Sequence, residues 1–169
     1  VIKHADALST VSESLGEEIN HWVVPKAVTV IPNVVDTRSF HFSPLPPSEK
    51  FRFLHISNMV PLKNVEGIID AAIQLAAQRN DFCLHLLGGI QDDLYQKAVE
   101  ASLLNTVIFF EGVVPYREVA TRMAACNALI IFSDSESQSC VVLESLCTGR
   151  PAIVTKVGGV KELINPSNG

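Results

Sequence analysis

The chain has 169 residues, 47% of them hydrophobic, with a formal net charge of −5. That length suits one sizeable core, and dispersed basic residues under a negative total exclude a nucleic-acid face. Apolar runs are far too short for a membrane span, no signal-peptide pattern opens the chain, and the four cysteines, without a CxxC pair, read as buried reduced thiols.

Residues 1–50 differ in texture from the remainder. They predict a short helix over 13–22, a short strand over 28–31 and a turn-rich piece ending in Ser43-Pro44-Leu45-Pro46-Pro47-Ser48, which reads as a connector. From Phe51 onward strand and helix alternate. Strands are predicted over 52–56, 82–87, 107–110, 128–132 and 152–154, and helices over 65–79, 92–102, 116–125, 140–148 and 160–164. Alternation with short loops predicts an α/β fold, a doubly wound parallel sheet with right-handed crossovers and helices on both faces. The chain opens Val1-Ile2-Lys3-His4 without an initiator Met, and both ends read as cuts within a longer protein.

Every unusual loop follows a strand: 57–64, Gly88-Gly89, 111–115, 133–139 and 155–159. All should gather on one edge of the sheet, where such folds bind ligands. The most telling segment is Ser135-Glu136-Ser137-Gln138-Ser139-Cys140-Val141-Val142-Leu143-Glu144. Glu136 lies just before a helix N-terminus, which favours an anion, and Glu144 lies within an apolar helix, where a carboxylate needs a hydrogen-bond partner. Two acceptors around an anion hole suit a polyhydroxylated phosphate ester. Lys63, at the entrance of the 65–79 helix, could meet a phosphate there or be a solvated lysine; beside a helix N-terminus the functional reading is the better one.

Other motifs stay open. Gly88-Gly89 is read as a tight turn, with close ligand approach as the alternative. Gly158-Gly159 could form an anion nest or allow close packing, and no GxGxxG spacing accompanies it. Glu162 suits the first turn of its own helix. Asp134-Ser135-Glu136 lacks the companion carboxylates or histidines a metal site needs, so no metal is expected. His55 and His85 lie in predicted strands, could be neighbours, and read as core histidines with hydrogen-bond partners.

Taken together, these residues resemble the C-terminal, nucleotide-sugar-binding domain of group 1 retaining glycosyltransferases, the GT-B class built from two Rossmann-like domains. The family's Glu-x7-Glu signature matches Glu136 and Glu144. Phe110-x-Gly112, Pro115 followed by Glu118, Leu143-Glu144-Ser145-Leu146-x-x-Gly149-x-Pro151 and Gly158-Gly159-x-x-Glu162 match in order. Upstream, Ala5-Asp6 with 9–12 and Val30-Ile31-Pro32-Asn33-Val34-Val35-Asp36 resemble the interdomain segment, so residues 1–50 would enter the domain and 51–169 would form it, truncated at its C-terminal end.

The resemblance implies sugar transfer from a nucleotide-diphosphate sugar with retention and without a cofactor or metal. Glu136 would bind donor-sugar hydroxyls, Lys63 the leaving diphosphate, and Glu144 the ribose. Backbone near Ser139 and Cys140 would face the diphosphate or sugar, and Val113 would edge the nucleobase. Asn58, Gly158 and Gly159 complete the expected donor site. The acceptor, a sugar or a lipid-linked molecule, would sit on the missing N-terminal domain. The implied setting is cytoplasmic polysaccharide or glycolipid synthesis, with peripheral contact at the inner membrane face and no nucleic acid.

Four positions depart from the family. Asn58 stands where an arginine usually partners the lysine, which weakens leaving-group stabilisation. Val34 replaces a turn glycine. Gln138 and Ser139 replace an aromatic residue and a glycine. A nucleotide-sugar epimerase of similar architecture, a non-catalytic nucleotide-sugar-binding module and a plain interaction domain are the alternatives.

Overall fold

The computed structural model describes residues 4–23 and 25–164. Two parallel sheets organise it. The smaller is a βαβ unit, β1 (Leu8–Thr10), α1 (Glu13–Trp22) and β2 (Val28–Val30), with Leu8 paired to Val28 and Thr10 to Val30. Only β1 was not among the predicted strands: Leu8-Ser9-Thr10 is too short and too polar to show a period. Ser12 starts α1 by accepting the Leu15 N–H at 3.2 Å.

The larger sheet has five parallel strands: β3 (Phe51–Ile56), β4 (Phe82–Leu87), β5 (Ile108–Gly112), β6 (Ala128–Ile131) and β7 (Ala152–Val154), in the order β5-β4-β3-β6-β7. Between them run α2 (Val65–Ala76), α3 (Asp92–Glu100), α4 (Tyr116–Ala125) and α5 (Cys140–Cys147), and α6 (Val160–Leu163) follows β7. The expected doubly wound α/β fold is present. Its core divides as that topology requires. Ile68, Ile69, Leu84, Leu86, Leu94 and Ile108 pack on the α2–α3 face, and Leu54, Leu87, Met123, Leu129, Ile131 and Val142 on the other. Burial of this apolar surface is the main stabilising term.

Strand order reverses between β3 and β6, so their C-terminal loops diverge around a common crevice. Both loops are held firmly. The Asp134 N–H donates to the Leu62 carbonyl at 2.9 Å, joining one loop to the other. His55 is fully buried beneath them; its Nδ1–H donates to the Ile130 carbonyl at 2.9 Å, which leaves Nε2 to accept the Ser57 hydroxyl at 2.7 Å. Ser57 Oγ in turn accepts the Met59 N–H at 2.9 Å, fixing a residue at φ 53°. Burial above all pushes the His55 pKa down to about 4, so the ring is neutral.

The histidines are not neighbours in the way expected. Register pairs His55 with Leu86 and Leu54 with His85, so the two imidazoles lie on opposite faces of the sheet. The cysteines also divide: Cys83 and Cys126 are buried, Cys147 is half-buried, and Cys140 is exposed at the tip of α5. No helix among the described residues is long and apolar enough to cross a membrane.

A strap over residues 33–43 crosses the α5 side. Asn33 donates its N–H to Gln138 Oε1 at 2.6 Å and its Nδ2–H to the Gln138 carbonyl at 3.2 Å. Phe40 is fully buried, and Arg150 donates to the carbonyls of Ser43 and Ala124 at 2.9 and 2.6 Å. Val34 is 90% exposed and has no positive φ, so here the turn does not need the glycine it lacks.

Candidate active site

Lys63 ends a 3₁₀ turn, Pro61–Lys63, and Asn64, at φ 46°, caps α2 by accepting the Gly67 N–H at 3.3 Å. That turn directs the Lys63 ammonium across the crevice to Glu136 Oε1, 2.7 Å away and half-buried. The Ser133 hydroxyl donates to the same oxygen at 2.8 Å. The two residues expected to do the chemistry are therefore an ion pair at the strand-order reversal, 73 residues apart in sequence.

Glu136 is placed by its backbone. Its carbonyl accepts the Gly159 N–H at 3.1 Å, and a Cβ on Gly158, at φ 47°, would lie 1.8 Å from that carbonyl. A Cβ on Gly159 would lie 2.0 Å from the Ser137 carbonyl. Between nest and close packing, packing is the visible role of both glycines. Gly88 is similar: its Cβ would strike the Ser57 carbonyl at 1.8 Å, so close packing against the neighbouring loop is its visible role, not a tight turn, whereas Gly89 faces open space.

Glu162 lies differently from expectation. Its carboxylate accepts the N–H groups of Glu13 and Ser14 at 3.1 and 2.8 Å, capping α1 rather than serving its own four-residue helix. Free amides and positive dipole at the α1 N-terminus explain the choice.

Ser139 caps α5 with no side-chain hydrogen bond, so the first amides of that helix have no such partner. Cys140 stands at the tip, its thiol pKa raised by desolvation first and then by the charge of Glu144, with Glu136 contributing. Glu144 is only 5% exposed, and burial raises its pKa. Its partner is the Tyr116 hydroxyl, which donates to Oε1 at 2.8 Å; that bond, more than burial, pushes the Tyr116 pKa up to about 12. Tyr116 is the first residue of α4, 61% exposed, with its ring 5.6 Å from that of Phe40. Sequence reasoning required a partner for Glu144 and did not find this one. A tyrosine directly after Pro115 was the available signal.

Val113 is 81% exposed just after Gly112, whose φ is 71°. Asn58 is exposed in the β3–α2 loop. Among the described residues no three His, Cys, Asp or Glu side chains converge as metal ligands. Two cavities lie on the faces of the sheet, and neither is lined by Lys63, Glu136 or Glu144.

The family model for glycosyl transferases group 1 matches residues 36–168. The chain belongs to that family. The N-acetyl-alpha-D-glucosaminyl L-malate synthase of Bacillus anthracis is 27% identical over 96% of this chain and 45% of its own length. Staphylococcus aureus TarM, a mutant solved with UDP among its ligands, superposes with a TM-score of 0.83 at 20% identity, over 99% of this chain and 34% of its own. Anabaena HepE, solved with UDP and glucose, gives 0.82 at 24% identity, over 96% and 48%. The two solved structures share the fold, and this chain spans less than half the length of each of the three proteins.

Proposed function

We propose that this group 1 chain is the donor-binding half of a retaining glycosyltransferase that takes its sugar from a nucleotide-diphosphate sugar. The observation that carries the reading is the Lys63–Glu136 pair at 2.7 Å beside the α5 tip, at the reversal of strand order. On donor binding the ammonium turns to the diphosphate, meeting the charge that develops as the leaving group departs. Glu136, released, accepts from sugar hydroxyls. Amides near Ser139 and Cys140 face the diphosphate, Glu144 accepts from the ribose, and backbone at Val113 edges the base. Lys63 and the helix tip supply the positive charge, so no metal is needed. The UDP held by TarM and HepE supports a nucleotide in this crevice.

Asn58 supplies no second cation beside Lys63, so leaving-group stabilisation rests on one ammonium. The acceptor, a sugar or lipid-linked molecule, binds the other half of the longer protein. We place that protein in the cytoplasm, touching the inner membrane face, in polysaccharide or glycolipid synthesis.

The test is a thermal-shift panel of UDP-, GDP- and ADP-sugars. A ligand that binds only the folded state at a hundred times its Kd adds about 2.7 kcal/mol of apparent stability. One donor class should shift the transition, and Glu144→Gln and Lys63→Gln should each reduce the shift. No shift with any of them defeats the reading. Binding without turnover in the longer protein identifies a non-catalytic module, and an epimerised donor without acceptor identifies an epimerase.

A further inference from the structure

On the face of the sheet opposite His55, away from the Lys63–Glu136 crevice, a cavity of about 600 Å³ opens over β3, β4 and β5. Cys83 and His85, two residues apart on β4, line it together with Glu111 of β5 and Arg122 of α4. His85 Nδ1 is 2.6 Å from Glu111 Oε1, and Glu111 Oε2 is 2.8 Å from Arg122 Nη1. The carboxylate can only accept, so Nδ1 of the neutral ring carries the hydrogen. Nε2 then presents its lone pair to Cys83 Sγ, 3.4 Å away. The ring is held flat against Phe109, with centroids 4.9 Å apart and planes 11° from parallel. Thiol, imidazole and orienting carboxylate thus stand in the geometry of a base-activated nucleophile, on rigid strands and facing a ligand-sized space.

The cavity is also cationic at the sulfur's end. Lys50, Arg52 and Arg122 line it against Glu49 and Glu111, a positive balance, and Lys50 and Arg52 both act on the Cys83 thiol. Their hydrogen bonds run to neutral groups: Lys50 to the Thr106 carbonyl at 3.3 Å and Arg52 to the Ala125 carbonyl at 3.5 Å. Burial raises the Cys83 pKa above its ordinary value, so at neutral pH the sulfur is protonated and needs a neighbouring base.

We infer that Cys83 is a modification site that reacts with small, negatively charged disulfides, with His85 as its base and Lys50 and Arg52 steering the anion. The Cys83 S–H proton passes to His85 Nε2 as the sulfur attacks one sulfur of the disulfide. A new S–S bond joins Cys83 to that half, the original S–S bond breaks, and the departing thiolate takes the proton from His85. Cysteine is oxidised to the mixed disulfide, and one equivalent of small thiol is released.

The experiment treats the folded chain with dithiodiglycolate, an anionic disulfide, or with hydroxyethyl disulfide, its neutral counterpart. Adducts are mapped to each cysteine by mass spectrometry, and free cysteine serves as the rate reference. Cys83 should react with the anionic reagent faster than the neutral one by at least about fivefold relative to free cysteine, a preference that fades with added salt. His85→Gln should slow labelling of Cys83 by about tenfold or more. Cys126 lines the same cavity without a histidine partner, so it should label at least about tenfold more slowly than Cys83, and circular dichroism reports that the fold is intact. If His85→Gln disturbs the fold, Glu111→Gln replaces it, with a smaller loss of rate expected. A Cys83 that stays unlabelled in the folded wild-type chain, labels without charge preference, or labels equally fast in a folded His85 or Glu111 variant overturns the assignment.

Discussion

Tyr116 occupies the acceptor that the proposed function assigns to the ribose. Its hydroxyl holds Glu144 Oε1 at 2.8 Å, so a nucleotide hydroxyl that reaches for that oxygen competes with it. Tyr116→Phe removes the competitor and leaves Glu144 without that partner in the free chain. A hydrogen bond of this kind is worth about 1 kcal/mol net, so the variant should bind its nucleotide roughly threefold to tenfold more tightly by titration calorimetry. Weaker binding would instead mean that the hydroxyl contacts the ligand. His55 yields a prediction in pH. Its folded pKa, about 4, lies below the ordinary 6.5, so the unfolded chain takes up the proton first as pH falls. Stability is therefore fully present above about 6.5 and lost towards about 4, by about 3 kcal/mol at the limit. Urea midpoints measured across that window should show the slope, and His55→Gln should flatten it.

At the scale of elements, the site depends on loops that pack backbone against backbone. Gly158 is pressed against the Glu136 carbonyl at a φ that L side chains rarely adopt. Gly158→Ala should cost about 2 kcal/mol or more in urea unfolding, since no far side-chain atom can move aside. It should also loosen nucleotide binding by displacing Glu136, even under conditions where the variant remains folded. The Glu162 cap ties α1 to the end of the large sheet, and the strap over residues 33–43 ties the same unit to Gln138. These contacts join the small βαβ unit to the loop that carries Glu136, so the segment before the large sheet is part of the site's frame.

Over the whole molecule, the crevice is bounded on one side by the five-stranded sheet, and the chain covers less than half of each relative compared above. Binding and transfer should therefore separate. The 169-residue chain should bind its nucleotide sugar yet give no detectable glycosyl transfer to any acceptor, whereas the longer protein should transfer. A radiolabelled-donor assay on both decides the matter, and transfer by the short chain would refute the division of labour.

Local periodicity was enough to read the alternation of strand and helix, the gathering of loops at one sheet edge and the pairing of Glu136 with an anion-favouring helix tip. Each depends on residues close together in the chain, or on a topology rule that applies to any such alternation. Tertiary structure alone set Lys63 against Glu136, Tyr116 on Glu144, Glu162 on α1 and His85 on Glu111. Those partners lie tens of residues away in sequence, and only strand order, register and the paths of the loops bring their side chains within hydrogen-bond reach.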